Sequence, residues 1–237
     1  MPNKNDSSIL LNNPAIDALI PPKVLAFDLD LTLHNVIDHY HLSLNSTFVS
    51  FGFPELSDSE LDQFGGSNYP GTRQIFATIM PEELLDQAMK YYIEHFLNSD
   101  ISPKAVIPGA KEILHLLKKR FKIPVIGVTN SDETIAKKIL VDLNLTKLFD
   151  FVIGIREDIA YKPNPQMLLM ALKHIKMEPG QHVWFVGDMP SDVECAKRAN
   201  CTAIRFYYKI DPKDPEADLC INNHYHLFNI ISSKLKK

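Results

Sequence analysis

The chain has 237 residues, of which 45% are hydrophobic and 23% are charged, which is typical of a folded globular protein with one sizeable domain and room for an insertion. Its net charge of −4 gives no general attraction to nucleic acid, and no apolar stretch is long enough to span a membrane. The three cysteines are odd in number and no secretory signal pattern precedes Lys23, so we expect a cytoplasmic protein with reduced thiols.

The first functional signal lies at the end of the first predicted strand. Residues 1–22 are rich in Asn, Ser and Pro and predict a loose N-terminal arm. The apolar run that begins at Val24 predicts a buried parallel strand, and it ends in two acids, Asp28 and Asp30. Buried carboxylates are costly unless they are paired, hydrogen-bonded or bound to a metal. Ligands of open α/β sheets bind beyond the carboxyl ends of strands, so these two acids predict a functional site.

Residues 35–105 have a helical pattern in which strands are hard to find. A capping box is predicted from Ser57 to Glu60, and Pro81 is predicted to open a long helix that ends near Leu97. The glycine-rich segment 65–71 predicts a flexible loop. An insertion at the carboxyl end of the first strand lies above a ligand site, so we predict that residues 35–105 form a helical cap.

Helices and strands alternate after residue 105. Strands are predicted at 124–129, 151–153, 183–186 and 202–206, and helices after Pro108, Ser131, Asn164 and Ser191. Ser131 is the predicted N-cap of its helix, and Asn200 is predicted to take the left-handed conformation after the last one. This alternation predicts an α/β fold, a Rossmann-like doubly wound parallel sheet formed by residues 23–34 and 106–237.

The polar residues at the predicted strand ends suit phosphoryl transfer. Asp28 would attack phosphorus and Asp30 would act as general acid and base. The Thr129 hydroxyl and the amide of Asn130 would donate to phosphate oxygens, and Lys162 would supply a positive charge. A Mg²⁺ cofactor would be held by Asp28, Asp188 and the backbone carbonyl of Asp30.

The four motifs together resemble those of the haloacid dehalogenase-like superfamily of hydrolases. They are Asp-x-Asp-x-Thr at 28–32, Thr-Asn-Ser at 129–131, Lys-Pro-x-Pro at 162–165 and Gly-Asp-x-x-x-Asp at 187–192. The helical insertion resembles the cap of the phosphoglycolate phosphatase and β-phosphoglucomutase branch. The resemblance implies that Asp28 is the nucleophile, Asp30 the acid/base, Thr129 and Lys162 phosphate ligands, and Asp188 a metal ligand. Asp192 would bind the metal directly or through water.

Two positions depart from the pattern of that superfamily. Leu31 stands where its members usually have Gly, and we expect Leu31 to fit with a negative φ. Asn35 stands where an acidic residue is frequent at the entry to the cap. Neither change removes a catalytic group.

Candidate substrate contacts outside the four motifs are His34 and Arg73. A structural role is equally expected for His34, and Arg73 is otherwise a surface helix residue. His39 and His41 are predicted to be surface or packing residues of the cap, and Trp184 is predicted to lie in the core.

The sequence therefore predicts a Mg²⁺-dependent phosphatase that hydrolyses a small phosphorylated metabolite through an aspartyl-phosphate. A phosphomutase and a non-catalytic binding protein on the same fold are the alternatives. Neither nucleic acid nor a membrane is an expected partner, and the substrate and the oligomeric state are left open.

Overall fold

A computed structural model describes residues 14–64, 71–156, 159–207 and 214–235. The strands are β1 (Val24–Phe27), β2 (Val125–Asp132), β3 (Phe151–Ile155), β4 (Val183–Gly187), β5 (Thr202–Phe206) and β6 (Leu219–Ile221). The helices are α1 (Pro14–Ala18), α2 (Ile37–Ser50), α3 (Asp58–Leu61), α4 (Thr72–Ala77), α5 (Leu85–Leu97), α6 (Ala110–Phe121), α7 (Glu133–Asp142), α8 (Gln166–His174), α9 (Pro190–Arg198) and α10 (His224–Leu235). None of the helices in these ranges has the length and apolarity needed to cross a membrane.

The six strands form one parallel sheet in the order β3-β2-β1-β4-β5-β6. Strand β1 lies inside the sheet, where Leu25 is paired with Val125 of β2 on one side and with Trp184 of β4 on the other. The chain therefore changes direction across the sheet at β1, and such a switch point is where open α/β sheets bind ligands. The predicted doubly wound parallel fold is confirmed.

Both faces of the sheet are covered, as a parallel sheet requires. Leu25 and Phe27 of β1 belong to an apolar cluster that includes residues of α6, α7 and α10, while Val24 and Ala26 belong to a second cluster with α8 and α9. Neighbouring residues of a strand face opposite sides, and both sides of this sheet are covered, so all four side chains are fully buried. This packing fixes β1, and with it the position of the acids that follow.

The described part of the insertion between β1 and α6 contains helices joined by loops and no strand. Helices α2, α4 and α5 pack through aromatic rings, with Phe76 at 5.4 Å from Phe48 and 5.9 Å from Tyr92 between ring centroids. The carboxylate of Glu60 accepts the Ser57 amide at 2.8 Å, which is one half of the predicted capping box, while the Ser57 hydroxyl donates to the same carboxylate at 2.6 Å. The division into arm, core and cap remains a prediction, and residues 65–70 of the predicted flexible loop lie outside the described residues.

Several local predictions differ from the structure. Asp132, not Ser131, caps α7, because its Oδ1 accepts the amides of Thr134 at 2.8 Å and Ile135 at 3.2 Å. A 3-10 turn separates Pro81 from α5, whereas a continuous helix was predicted there. Strand β6 and helix α10 were not predicted at all. Asn200 has the predicted left-handed conformation, with φ of 56°.

The N-terminal arm is tied to the core at its described end. Ile16 of α1 is buried in the apolar cluster on the α6 face. Trp184 is fully buried, as predicted, and its Nε1 donates to the Ile20 carbonyl at 3.0 Å. The described part of the arm is therefore anchored through Ile16 and the Ile20 carbonyl, and residues 1–13 lie outside the described ranges.

Helix α10 supports the loop that follows β1 through its first residue. The buried His224 ring stacks on Phe206 with centroids 4.5 Å apart, and its Nε2 lies 2.9 Å from the Thr32 carbonyl oxygen. Burial lowers the pKa of His224 to about 4. The ring is therefore neutral at pH 7, with the Nε2 proton donated to Thr32.

We expect His224 to make stability fall as the pH drops from about 6.5 towards 4, because the unfolded chain binds more protons than the folded protein in that range. Between pH 7.5 and 5 its contribution is about 2 kcal/mol of unfolding free energy. Urea unfolding at both pH values should show a smaller pH dependence for His224→Gln than for wild type. The exposed His115 supplies the control, and His115→Gln should keep the wild-type dependence. Equal dependence in all three proteins would contradict this role.

Candidate active site

The carboxyl ends of β1, β2 and β4 bring the predicted motif residues together. Asp28 follows β1 directly, and its amide donates to the Val186 carbonyl of β4 at 2.9 Å. The Lys162 ammonium donates to Asp28 Oδ1 at 2.5 Å and to the Val128 carbonyl at 2.9 Å. Its nitrogen also lies 2.7 Å from Asp192 Oδ1. One buried cation thus connects residues from three separate motifs.

Asn130 positions Lys162. The Lys162 amide donates to Asn130 Oδ1 at 2.8 Å, and Asn130 Nδ2 donates to the Lys162 carbonyl at 3.0 Å. This reciprocal pair holds the lysine backbone against the end of β2, which directs its side chain towards Asp28. The Asn130 side chain is therefore occupied by the protein backbone, and a contact with phosphate remains a proposal for its main-chain amide.

Three carboxylates form a compact acidic cluster. Asp28, Asp188 and Asp192 place one ligand oxygen each within 4.8 Å of one another. Asp192 is held by the Met189 amide, which donates to its Oδ2 at 2.9 Å. A Cβ at Gly187 would lie 2.3 Å from the same oxygen, so glycine is required beside Asp192.

The electrostatics of this cluster fit a divalent cation. Burial raises the pKa of Asp28 well above its usual range, with Asp192 and Asp188 acting in the same direction and Lys162 opposing them. Burial and Asp192 raise the pKa of Asp188 to about 7. Three acids close to one ammonium leave excess negative charge, and hard carboxylate oxygens are the ligands that Mg²⁺ prefers. Asp28, Asp188 and Asp192 are thus suited to hold Mg²⁺.

Asp30 is oriented by three hydroxyl groups. Its Oδ2 accepts from Ser131 Oγ at 2.6 Å and from Thr129 Oγ1 at 3.3 Å, and its Oδ1 accepts from the Tyr40 hydroxyl at 3.1 Å. The Tyr40 hydroxyl also lies 3.0 Å from Ser131 Oγ. Thr129, the predicted phosphate ligand, therefore donates to the second acid in this structure. Tyr40 belongs to α2, so the insertion contacts the predicted acid/base directly.

The loop from residue 28 to 34 is held by backbone geometry as well as by side chains. Leu31 has a φ of 56°, so the expectation of a negative φ is wrong. Its amide donates to the His34 carbonyl at 2.6 Å, which closes the turn that the left-handed residue makes. The Thr32 hydroxyl lies 3.2 Å from Asp188 Oδ1 and 3.4 Å from Asp28 Oδ2. Leucine therefore adopts here the conformation that glycine takes at lower cost.

His34 lies next to Asp30 and Arg73 lies within the insertion, and neither faces the cavity at the site. His34 is fully buried, its Nδ1 lies 3.7 Å from Asp30 Oδ1, and burial lowers its pKa. Arg73 forms ion pairs with Glu82, at 2.9 Å, and with Asp86. Neither residue lines the cavity at the site. A substrate contact of either residue is therefore not part of the arrangement described here.

A cavity of about 270 Å³ opens at the acids and extends under the insertion. Its floor contains Asp28, Asp30, Thr129, Lys162 and Asp188, and its upper wall comes from α2, α3, α4 and α5. His41, predicted to be a surface or packing residue, is among the lining residues. The cavity thus joins the motif residues of the core to side chains of the insertion.

Comparison with known proteins supports the resemblance to haloacid dehalogenase-like hydrolases. The family model of haloacid dehalogenase-like hydrolases matches residues 25–206. A phosphoglycolate phosphatase of Aquifex aeolicus is 29% identical over 201 residues, which cover 83% of this chain and 92% of that protein.

Solved structures share the fold. A structure described as a predicted phosphoglycolate phosphatase from Haemophilus somnus has a TM-score of 0.74 and 22% identity, and covers 89% of this chain and 98% of its own. A β-phosphoglucomutase from Clostridium difficile has a TM-score of 0.71 and 15% identity, and covers 91% of this chain and 100% of its own.

The chain belongs to the haloacid dehalogenase-like hydrolases, since the family model spans most of its length. The predicted resemblance, its capped branch and the predicted enzyme class are confirmed.

Sequence reasoning did not predict the roles of Ser131 and Tyr40 beside Asp30. Ser131 carried a signal, because it is a polar residue at the end of a buried strand, but helix capping explained it equally well. Tyr40 carried none, because its approach to Asp30 depends on how α2 packs over the sheet.

Removing the Tyr40 hydroxyl tests whether α2 positions Asp30. We expect Tyr40→Phe to lower kcat about three- to tenfold with little change in KM, because a neutral hydrogen bond is worth roughly 0.5–1.5 kcal/mol. Tyr91→Phe is the matched control, since its hydroxyl contacts Ser46 within the insertion. Steady-state phosphate release should separate the two variants. An effect on KM alone, or equal effects in both variants, would contradict the positioning role.

Proposed function

We propose that this hydrolase is a Mg²⁺-dependent phosphatase that hydrolyses a small phosphorylated metabolite through a phosphorylated Asp28. The observation that carries the proposal is the position of Asp28 between a buried ammonium, Lys162, and two further acids, Asp188 and Asp192, at the floor of one cavity. A phosphoryl group needs a nucleophile in line with its leaving oxygen and positive charge around its equatorial oxygens. The named relatives are consistent with this chemistry.

In the first step an Asp28 oxygen forms a bond to phosphorus while the bond from phosphorus to the ester oxygen breaks. Asp30 gives a proton to the departing oxygen, which leaves as an alcohol. In the second step Asp30 takes a proton from water, whose oxygen attacks phosphorus and releases inorganic phosphate and Asp28. Together the two steps return the enzyme to its starting state.

Positive charge for the phosphate comes from Lys162 and from the proposed metal ion. Asp192 and Asp28 raise the pKa of Lys162, although burial opposes them, so its ammonium stays charged throughout. Asp28, Asp188 and Asp192 would hold Mg²⁺ together with the Asp30 carbonyl. The bound ion supplies positive charge that reduces repulsion between Asp28 and an anionic ester.

A phosphomutase is the second candidate, because a β-phosphoglucomutase is among the structures that share this fold. A mutase would return phosphate from Asp28 to the sugar and would require a bisphosphate for turnover. A phosphatase would release inorganic phosphate with water alone. Measuring the released inorganic phosphate and the phosphate returned to sugar, with one sugar phosphate as substrate, separates the two functions.

Asp28→Asn should abolish phosphate release and leave the fold intact. The variant removes the nucleophile but also removes one of the buried like charges, and Lys162 keeps Asp192 and the Val128 carbonyl as partners. Asp38→Asn, an exposed position of α2, is the control. Phosphate release from a panel of phosphorylated metabolites and thermal unfolding should both be measured. Turnover near the wild-type rate would exclude Asp28 as the nucleophile.

Removing divalent metal should stop turnover, and Mg²⁺ should restore it. Because the ion binds the folded protein, Mg²⁺ should also raise the unfolding temperature of wild type in the absence of any substrate. That shift should shrink strongly in Asp188→Asn and persist in Asp218→Asn, which changes an acid that pairs with Lys197 away from the site. Full activity in chelator, or an unchanged shift in Asp188→Asn, would reject the metal site.

A further inference from the structure

The part of the cavity that faces away from Asp28 is apolar. Side chains of the insertion that line it include Val36, Ile37, Leu44, Leu61, Phe64 and Ile75. Tyr92 and Tyr40 add aromatic surface, and Tyr40 also reaches Asp30. Because phosphate must lie near Asp28 and Lys162, this wall surrounds the group that the phosphate is attached to.

The described lining of this cavity offers no free positive charge to that group. Lys162 is its only lysine or arginine, and its ammonium is already shared by Asp28 and Asp192. His41 lines the wall with its Nδ1 at 3.6 Å from the Asp58 carboxylate, so any charge it gains is matched within the protein.

The sequence of the insertion limits other sources of charge. Between residues 35 and 105 the lysines and arginines are Arg73, Lys90 and Lys104, and residues 65–70 contain none. Arg73 is paired with Glu82 and Asp86, and Lys90 lies 4.0 Å from Glu94 on an exposed face. Lys104 lines a neighbouring cleft, which shares Asn35 and Asp188 with the cavity but none of the apolar wall residues named above. No cation of the insertion therefore faces the apolar wall in the described structure.

We infer, on the basis of the proposed phosphatase function, that the preferred substrate is a phosphate monoester of an uncharged and largely apolar alcohol. A second anionic group, such as the carboxylate of phosphoglycolate, would lose water on entering the cavity and find no counter-charge. An apolar group gains from burial against the same side chains. Asn35, Tyr161 and Ser191 are among the polar residues of the described lining that could contact a hydroxyl or ring nitrogen of this group. The inferred preference differs from the substrate in the name of the Aquifex aeolicus relative.

Benzyl phosphate and 2-phosphoglycolate test this inference, because both release an alkyl alcohol and they differ in charge. We expect kcat/KM for benzyl phosphate to exceed that for 2-phosphoglycolate by tenfold or more, a factor typical of one mismatched group in an apolar pocket. A smaller ratio, or a preference for 2-phosphoglycolate, would overturn the inference and leave the phosphatase function standing. Release from neither ester above the Asp28→Asn blank would instead count against the phosphatase function.

A charge placed in the wall should weaken the preference for the uncharged ester. Ile37 lines the cavity and is half-buried, so a longer side chain there can reach the solvent-facing edge. Ile37→Lys should shift the ratio of the two kcat/KM values towards 2-phosphoglycolate by about tenfold, whereas Ile37→Met should leave it near the wild-type value. Phe64→Lys with Phe64→Met repeats the test from a second half-buried position. A shift of equal size in the Lys and Met variants would contradict the charge argument.

Discussion

The ion pairs of Lys162 hold the site together. A lysine buried beside three acids is costly unless each charge is matched, and breaking such an arrangement is more costly than never forming it. Lys162 matches Asp28 and Asp192 at the same time, and its backbone is fixed by Asn130. The acids in turn keep the lysine protonated. The charge that remains after this pairing is negative. The same arrangement that holds Lys162 in place therefore also creates a place for a divalent cation.

The loop after β1 depends on a second constraint, which is geometric. Leu31 takes a left-handed conformation directly after Asp30, in a loop where Asp28 faces the acidic cluster and Asp30 faces the hydroxyls of Ser131 and Tyr40. Glycine would reach this conformation with less strain. The turn is instead supported by α10, whose first residue, His224, contacts the Thr32 carbonyl. Helix α10 therefore contributes to the site although none of its residues is close to the reacting groups.

The features that the sequence predicted well are those encoded locally. Strands β1, β2 and β4 are continuous apolar runs, since each lies inside the sheet with both faces buried, and their polar ends identify the site. Strand β6 has three residues and gives no pattern, and α10 begins with His-Tyr-His, which hides its apolar face. Ser131 and Asp132 are both good capping residues, and only the position of Asp30 decides which of them caps α7. Such choices depend on residues distant in the chain.

The core and the insertion contribute different information to function. In the proposed mechanism the motif residues act only on groups that every phosphate ester shares, which explains how one fold can serve phosphatases and mutases alike. Under the proposed function, selection among esters comes from the upper wall of the cavity, where this chain presents aromatic and aliphatic side chains while Arg73 is paired with Glu82 and Asp86. Tyr40 belongs to both parts, because its ring lies in the wall and its hydroxyl bonds Asp30. In the proposed mechanism, a substrate that packs well against the wall would also stabilise the position of Asp30, the proposed proton donor, so binding and proton transfer would be linked through one side chain.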